Sequence, residues 1–321
     1  ADSCGLPEVA ASVTTAAPHS KGRGAMALFK NLTAGDVLPQ ASPPATVRSY
    51  DILTYSNGKV APSVFLSCRE QTLTMHVNGV PFVRVACSGQ HLRYLVPGFL
   101  YSCGLIENLH DLAGMDVTPL PAAASGATPP DGADEVRVDV LLRGPCCSKA
   151  ASSTEQAAPR LTITSAMGWN IPLAARQLPN VPRAQTPTWN PQVILRGAQE
   201  LEERSEIFHQ TGGCHNAALL NRQGMVFYCL DIGRHNAIDT LVGYMLVEGL
   251  NPADHMIISS GRIASEIAQK AVRIGVPVFA SLSRAMSRAV DLARANGLTL
   301  LGNVKSGSMH IYHENGQLVL P

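Results

Sequence analysis

The residue types best suited to chemistry crowd into one string of nine, Asp231-Ile232-Gly233-Arg234-His235-Asn236-Ala237-Ile238-Asp239. Two acids, an arginine, a histidine and an asparagine stand there between an apolar strand and an apolar helix. Polar groups gathered at such a junction face a crevice, because α/β sheets bind ligands outside the carboxyl ends of their strands. Arg234 suits a phosphate, and Asp231 or Asp239 a base or hydroxyl. The alternative is a structural salt-bridge cluster with Asn236 as a cap. Ser259-Ser260-Gly261-Arg262-Ile263-Ala264-Ser265-Glu266 repeats the design, with Arg262 just past a glycine turn. Lys270 and Arg273, further along the same helix, are expected to be solvated. Thr211-Gly212-Gly213-Cys214-His215 reads either as a paired-glycine turn opening a helix over Cys214 to Leu220, with free N–H groups for an anion, or as a plain glycine C-cap before a buried helix. Asn303-Val304-Lys305-Ser306-Gly307-Ser308 is a polar loop between two strands, fit to grip a nucleotide or merely to close a hairpin.

Thiols are the second resource. A cysteine at a helix N-terminus beside an imidazole has its pKa lowered, which makes Cys214 the first candidate for a reactive thiol. Cys146-Cys147 lies in a loop where adjacent thiols could hold a persulfide or be incidental. Cys68, Cys87, Cys103 and Cys229 fall in apolar runs and read as small core residues. Zinc deaminases need His-x-Glu and Pro-Cys-x-x-Cys, whereas His215 is followed by Asn216 and Ala217, and Ser260 and Ser265 stand in the later turn. No catalytic zinc set is expected.

These residues need elements to hold them. Residues 1–46, rich in Ala, Ser, Pro and Gly, read as a leader. Residues 47–190 read as an α+β domain: strands at Leu73–Val77 and Pro81–Ala86 around the Asn78-Gly79 turn, then an apolar helix over Leu92–Leu109. A strand follows at Val136–Leu142, and another at Leu161–Thr164. Pro172, Pro179, Pro182, Pro187 and Pro191 mark an extended boundary. Residues 191–321 alternate strands with amphipathic helices, the pattern of an α/β layer. The predicted helices are Ala198–Gln210, Cys214–Leu220, Asn236–Glu248, Ser265–Ile274 and Ser283–Ala295. The predicted strands are Met225–Leu230, His255–Ile258, Val278–Ala280, Thr299–Leu301 and His310–Tyr312.

Composition narrows the function classes. With 25 basic against 24 acidic residues in 321, a net charge of +1 argues against a nucleic-acid surface but leaves room for a small anion. No apolar run reaches the roughly 18 residues that span a bilayer, and no secretory signal is read at the start. Eight irregularly spaced cysteines do not make a secreted disulfide framework. A cytoplasmic setting is expected.

In this order the motifs resemble the FdhD/NarQ family. The resemblance rests on Val77-Asn78-Gly79-Val80-Pro81, on Gly98 through Ile106, on Thr211-Gly212-Gly213 with His215 and Ala217, and on the Asp231–Asp239 string. Ser260-Gly261-Arg262 with Glu266 and Lys270 continues it, and Leu300 to Tyr312 closes it. It implies a C-terminal cytidine-deaminase-like α/β domain without zinc and a smaller N-terminal α+β domain. It further implies an accessory role for formate dehydrogenase: sulfur from a cysteine desulfurase would pass to a molybdenum or tungsten bis-molybdopterin guanine dinucleotide. The guanine nucleotide ends would lie against the glycine turns and the Asn303–Ser308 loop, with GDP as a mimic and a homodimer as a possible assembly. The residues implied for cofactor binding are Gly212, Gly213, His215, Asp231, Gly233, Arg234, His235, Asn236, Asp239, Gly261, Arg262 and Asn303 through Ser308. One departure stands out. Where the family has a Cys-x-x-Cys after Thr-Ser, this chain has Thr164-Ser165-Ala166-Met167-Gly168-Trp169-Asn170, with Met167 and Asn170 at the cysteine positions. Three readings follow: a sulfurtransferase using Cys214 or Cys146-Cys147, a non-catalytic cofactor chaperone, or a guanine-nucleotide-binding regulatory module.

Overall fold

A computed structural model of the chain describes residues 47–120, 135–143, 162–163, 178–186, 188–305 and 307–321. The chain emerges as a hairpin, β1 (Val47–Ser56) and β2 (Lys59–Cys68), paired from Val47–Cys68 to Ser56–Lys59. Asn57 and Gly58 both take positive φ, 51° and 78°, the geometry that matches a two-residue turn to strand twist. Neither face of this hairpin alternates apolar with polar, and Leu53, Tyr55, Val60 and Val64 are exposed.

The expected hairpin around Asn78-Gly79 follows, as β3 (Gln71–Val77) and β4 (Val80–Cys87). Leu73, Met75 and Val77 alternate inward and lay one buried face against α1 (Leu92–Ser102). That helix passes through Pro97 and Gly98 but stops seven residues short of Leu109, where Cys103 caps it and Gly104 turns at φ 77°. β5 (Leu112–Leu120), β6 (Glu135–Leu142) and β7 (Thr162–Ile163) complete a sheet ordered β5-β6-β3-β4-β7.

The second sheet holds β8 (His215–Leu220), β9 (Met225–Asp231), β10 (Met256–Ser259), β11 (Val278–Ser281), β12 (Thr299–Lys305) and β13 (Ser308–His313), in the order β13-β12-β11-β10-β8-β9. β10, β11 and β12 are parallel, and β8 runs against both β9 and β10. Ala217, Leu219, Ile257, Phe279 and Leu300 face α4 (Arg234–Glu248), α5 (Ser265–Ile274) and α6 (Ser287–Asn296). Their alternates Ala218, Leu220, Ile258, Ala280 and Leu301 face α2 (Pro191–Glu203).

Three expectations are corrected here. Cys214–Leu220 is not a helix; residues 215–220 form β8, a central strand buried on both faces, whose apolar run carries no alternation to mark it. The helix read over Ala198–Gln210 is two, α2 and α3 (Glu206–Thr211), parted at Arg204 and Ser205. Lys270 and Arg273 are not solvated: Lys270 Nζ lies 2.5 Å from Asp239 Oδ2, and Arg273 Nε donates to the Tyr101 carbonyl at 2.7 Å.

The two sheets meet through α1 and α4, which cross with their backbones in contact. A Cβ on Gly98 would collide with the Asp239 carbonyl, and one on Gly243 with the Tyr94 carbonyl. Only glycine at both positions permits that approach. The contact is stitched by Ser102 Oγ donating to Asp239 Oδ1 at 2.5 Å, and α1 is tied to α5 by Tyr101 Oη donating to the Arg273 carbonyl at 2.9 Å.

Candidate anion and cofactor site

Parallel pairing brings the carboxyl ends of β10, β11 and β12 to one edge of the sheet. Antiparallel β8 returns its first residue there, since Ala217 pairs with Ser259 and His215 with Asp231. The Asp231 string, the Ser259–Arg262 turn, His215 and the β12–β13 loop therefore share one end of the layer, the end at which such sheets bind ligands. Seryl groups secure the turns: Ser281 Oγ donates toward the carbonyls of Ser259 (3.0 Å) and Gly261 (2.6 Å), and Ser283 N donates back to it. Ser281 went unremarked in the sequence. The repeated serine at the ends of β10 and β11 was the available signal.

A narrow crevice lies between these turns, lined by His215, Arg234, Ser259, Gly261 and Arg262 among others. A Cβ at Gly261 would lie 3.2 Å from Arg234 Cβ and 3.4 Å from His215 Nδ1, so the bare glycine lets the three segments close on one another. Among the described residues, no carboxylate lines the crevice. Burial first, and then Arg234 and Arg262, lowers the His215 pKa and keeps that ring neutral, leaving two guanidinium groups to set the charge. Arg234 Nε is buried without a hydrogen-bond partner, as is His235 Nδ1. An unsatisfied buried donor costs about 1–3 kcal/mol, which an anion in reach would offset.

The other residues of the string hold the fold. Asp231 is 2% exposed and accepts from Ser88 N (2.9 Å), Ser88 Oγ (2.9 Å), Gly233 N (2.8 Å) and Asn236 Nδ2 (2.8 Å). Burial outweighs those donors and pushes its pKa up to about 6. Asn236 Nδ2 also donates to the Ala86 carbonyl, so this pair ties the end of β4 to the start of α4. Asp239, 1% exposed, is occupied by Ser102 and Lys270. His235 is buried, and burial, then Lys270, Arg234 and His215, takes its pKa down to about 3. Gly233 is the N-cap of α4.

Gly212 and Gly213 end a helix rather than open one: Gly212 caps α3 at φ 64°. Cys214 therefore has no helix N-terminus to activate it. Burial, and next the Cys68 thiol, push its pKa up to about 12, opposite to the direction the sequence suggested. The loop expected over Asn303–Ser308 is mostly strand: Asn303 to Lys305 end β12 and Ser308 starts β13, while Asn303, at φ 50°, donates its N–H to the Ser283 carbonyl beside the β11 turn. Val304 points into the core, whereas Lys305, Gly307 and Ser308 are exposed. Ser306, Cys146 and Cys147 lie outside the described residues, as does the Thr164–Asn170 segment. Among the described residues, no cluster of His, Cys, Asp or Glu is arranged to hold a metal ion, and no helix is long and apolar enough to cross a membrane.

Residues 68–319 match the model of the FdhD/NarQ family. The chain belongs to that family. It is 29% identical over 263 residues to the sulfur carrier protein FdhD of Bacillus subtilis, covering 82% of this chain and 94% of that one. To the sulfur carrier protein FdhD of Geobacillus kaustophilus it is 31% identical over 274 residues, covering 84% and 96%. A solved structure from Desulfotalea psychrophila, described as a formate dehydrogenase accessory protein, superposes with a TM-score of 0.62 at 18% identity. That match covers 85% of this chain and all of the other, and it shows a shared fold. The FdhD/NarQ match spans both sheets, so the α1–α4 crossing belongs to the family region.

Proposed function

We propose that this FdhD/NarQ chain is a sulfur carrier in formate dehydrogenase maturation: it takes sulfur from a cysteine desulfurase and delivers it to a molybdenum or tungsten bis-molybdopterin guanine dinucleotide held as cargo. The names borne by its relatives support the role. One observation on the chain itself carries the cargo half: a carboxylate-free crevice at the sheet edge presents Arg234 and Arg262, with Arg234 Nε buried and unpartnered. Such a site takes a phosphate of the guanine dinucleotide, while Lys305 and Ser308 at the exposed loop tip reach for what protrudes. The chain's own residues orient the cargo by charge, and His215 stays neutral so as to accept or donate a hydrogen bond without adding charge. We also read the C-terminal sheet as a cytidine-deaminase-like layer without zinc, supported by its mixed strand order and its helices on both faces. The bare apolar face of the β1–β2 hairpin supports a homodimer joined through that arm.

GDP is the accessible probe. Calorimetry should show GDP bound in preference to ADP, and Arg234→Ala should weaken it by about 1.5–3 kcal/mol, the worth of a charged hydrogen-bonded pair. Folded protein that binds no GDP, and that fails to raise the activity of immature formate dehydrogenase supplied with desulfurase, cysteine and cofactor, ends the reading.

A further inference from the structure

Two thiols far apart in sequence meet just outside the crevice. Cys68 closes β2 and Cys214 leads into β8, and both are free. The Cys68 Sγ lies 3.0 Å from Thr211 Oγ1 and would touch a Cβ on Gly213 at 3.4 Å. Thr211 has one hydroxyl proton, and it goes to the Ile207 carbonyl at 2.7 Å. The Cys68 thiol is therefore the donor to Thr211. Cys214, the next residue after Gly213, neighbours Cys68, and burial and then Cys68 raise its pKa. Exposure divides the roles: half-buried Cys68 is the sulfur a donor can reach and buried Cys214 the one held in reserve, whereas Cys87 and Cys229 are sealed in the core.

We propose that Cys68 and Cys214 are the working dithiol of this chain, Cys68 taking up sulfane sulfur and Cys214 releasing it as sulfide. The inference rests on the sulfur-carrier reading above and supplies the thiols that the Met167-Gly168-Trp169-Asn170 segment lacks. In the first step the Cys68 thiolate attacks the terminal sulfur of a donor persulfide. A Cys68 Sγ–S bond forms, the donor S–S bond breaks, and the donor leaves as a thiol. In the second, Cys214 Sγ attacks Cys68 Sγ, the Cys68–Cys214 disulfide forms, and the outer sulfur departs as hydrogensulfide with the Cys214 proton. Two thiols are oxidised by two electrons and one sulfane sulfur is reduced by two, so no further oxidant enters. Sulfide is the oxidation state in which sulfur binds a metal as a terminal ligand, which a persulfide alone does not provide. A dithiol reductant of the thioredoxin class returns the pair to its starting state. The two sulfurs need to close to the S–S bond length of about 2.05 Å.

The test uses the full chain, reduced and anaerobic, with inorganic polysulfide as donor and with desulfurase plus cysteine in parallel. Peptide mapping should find added sulfur on Cys68 first, then a Cys68–Cys214 cross-link appearing with one equivalent of sulfide. Cys214→Ala should hold the persulfide on Cys68 and slow sulfide release by about tenfold or more, because the resolving thiol is gone. Cys68→Ser, at a half-buried site that tolerates the change, should abolish both loading and cross-link, and circular dichroism checks that each variant is folded. Persulfide on another cysteine, a wild type that loads Cys68 without ever cross-linking, or unchanged sulfide release from Cys214→Ala overturns the proposal. GDP binding and formate dehydrogenase activation are read on the same variants. If both survive in the Cys68→Ser/Cys214→Ala double, the dithiol fails and the carrier reading stands on other thiols. If the cross-link forms but GDP and dehydrogenase do not respond, the dithiol stands and the carrier reading fails.

Discussion

Replacing Lys270 with methionine isolates the interaction that anchors α4. Asp239 is 1% exposed, and Lys270 Nζ lies 2.5 Å from each of its carboxylate oxygens. The Lys270 side chain is itself only 15% exposed, so solvent screens the pair weakly. Lys270→Met leaves a buried carboxylate with a single donor, the Ser102 hydroxyl, and removing one partner of a buried pair costs about 3–5 kcal/mol. At about 2–4 °C per kcal/mol for a folding unit of this size, Tm should fall by roughly 6–20 °C. Asp239→Asn/Lys270→Met removes both charges while keeping an acceptor for Ser102. Its loss should be smaller than the sum of the single losses by about 0.5–3 kcal/mol. Urea unfolding followed by circular dichroism, with equal slopes across the four proteins, gives these differences. A Lys270→Met loss under about 1 kcal/mol, the worth of a surface pair, or strict additivity in the cycle, would refute the argument that burial makes this pair matter.

Asp231, with a pKa pushed from 3.8 up to about 6, binds its proton more tightly folded than unfolded, so its contribution is present below pH 3.8 and lost as pH rises through 6. The stability difference between wild type and Asp231→Asn should therefore shift in favour of wild type, by about 2.4 kcal/mol, on going from pH 7 to pH 4; a flat difference rejects this. His235 acts in the opposite sense, since a pKa lowered to about 3 gives stability present above 6.5 and lost on acidification, and its ring resonances should stay those of neutral imidazole at pH 5. Gly243→Ala should destabilise by about 1–3 kcal/mol or more, because the new methyl meets backbone of α1 that has no rotamer to change. Leu53→Lys/Val64→Lys on the exposed hairpin should shift sedimentation toward the monomer without changing Tm of the monomer, and an unchanged profile removes the hairpin from the interface.

The sequence was most readable where one face of an element is wet or where a turn demands special residues. Asn78-Gly79 located β3 and β4, and Ser265–Ile274 was found to the residue because its apolar stripe has solvent opposite. β8 was misread because both its faces are buried, so Ala217, Ala218, Leu219 and Leu220 present no period. The β1–β2 hairpin was missed as a unit because most of its side chains are exposed among the described residues, so no buried face gives its strands a period. At the site, the spacing of Arg234, His215 and Gly261 drew attention to strand ends that the fold brings together. Asp231 and Asp239 looked like ligand groups from the same spacing, yet their partners Ser88 and Ser102 come from a sheet more than a hundred residues earlier. The thiol contact between Cys68 and Cys214 had no local signal at all, being made by two chain segments that only the tertiary fold brings together.

The crossing of α1 and α4 bears on how such a chain can be cut or recombined. Gly98 and Gly243 leave two bare backbone strips facing each other. A gene broken near residue 190 would yield one product with α1 lying open on its sheet and another with α4 stripped along Tyr244, Gly243 and Asp239. The Asp239 carboxylate would then lose Ser102, and Asp231 would lose Ser88. Exchange between relatives is therefore constrained at this seam: a C-terminal half from one parent accepts an N-terminal half from another only if the incoming helix also carries glycine opposite Gly243. What the chain divides into two sheets is inherited as one piece.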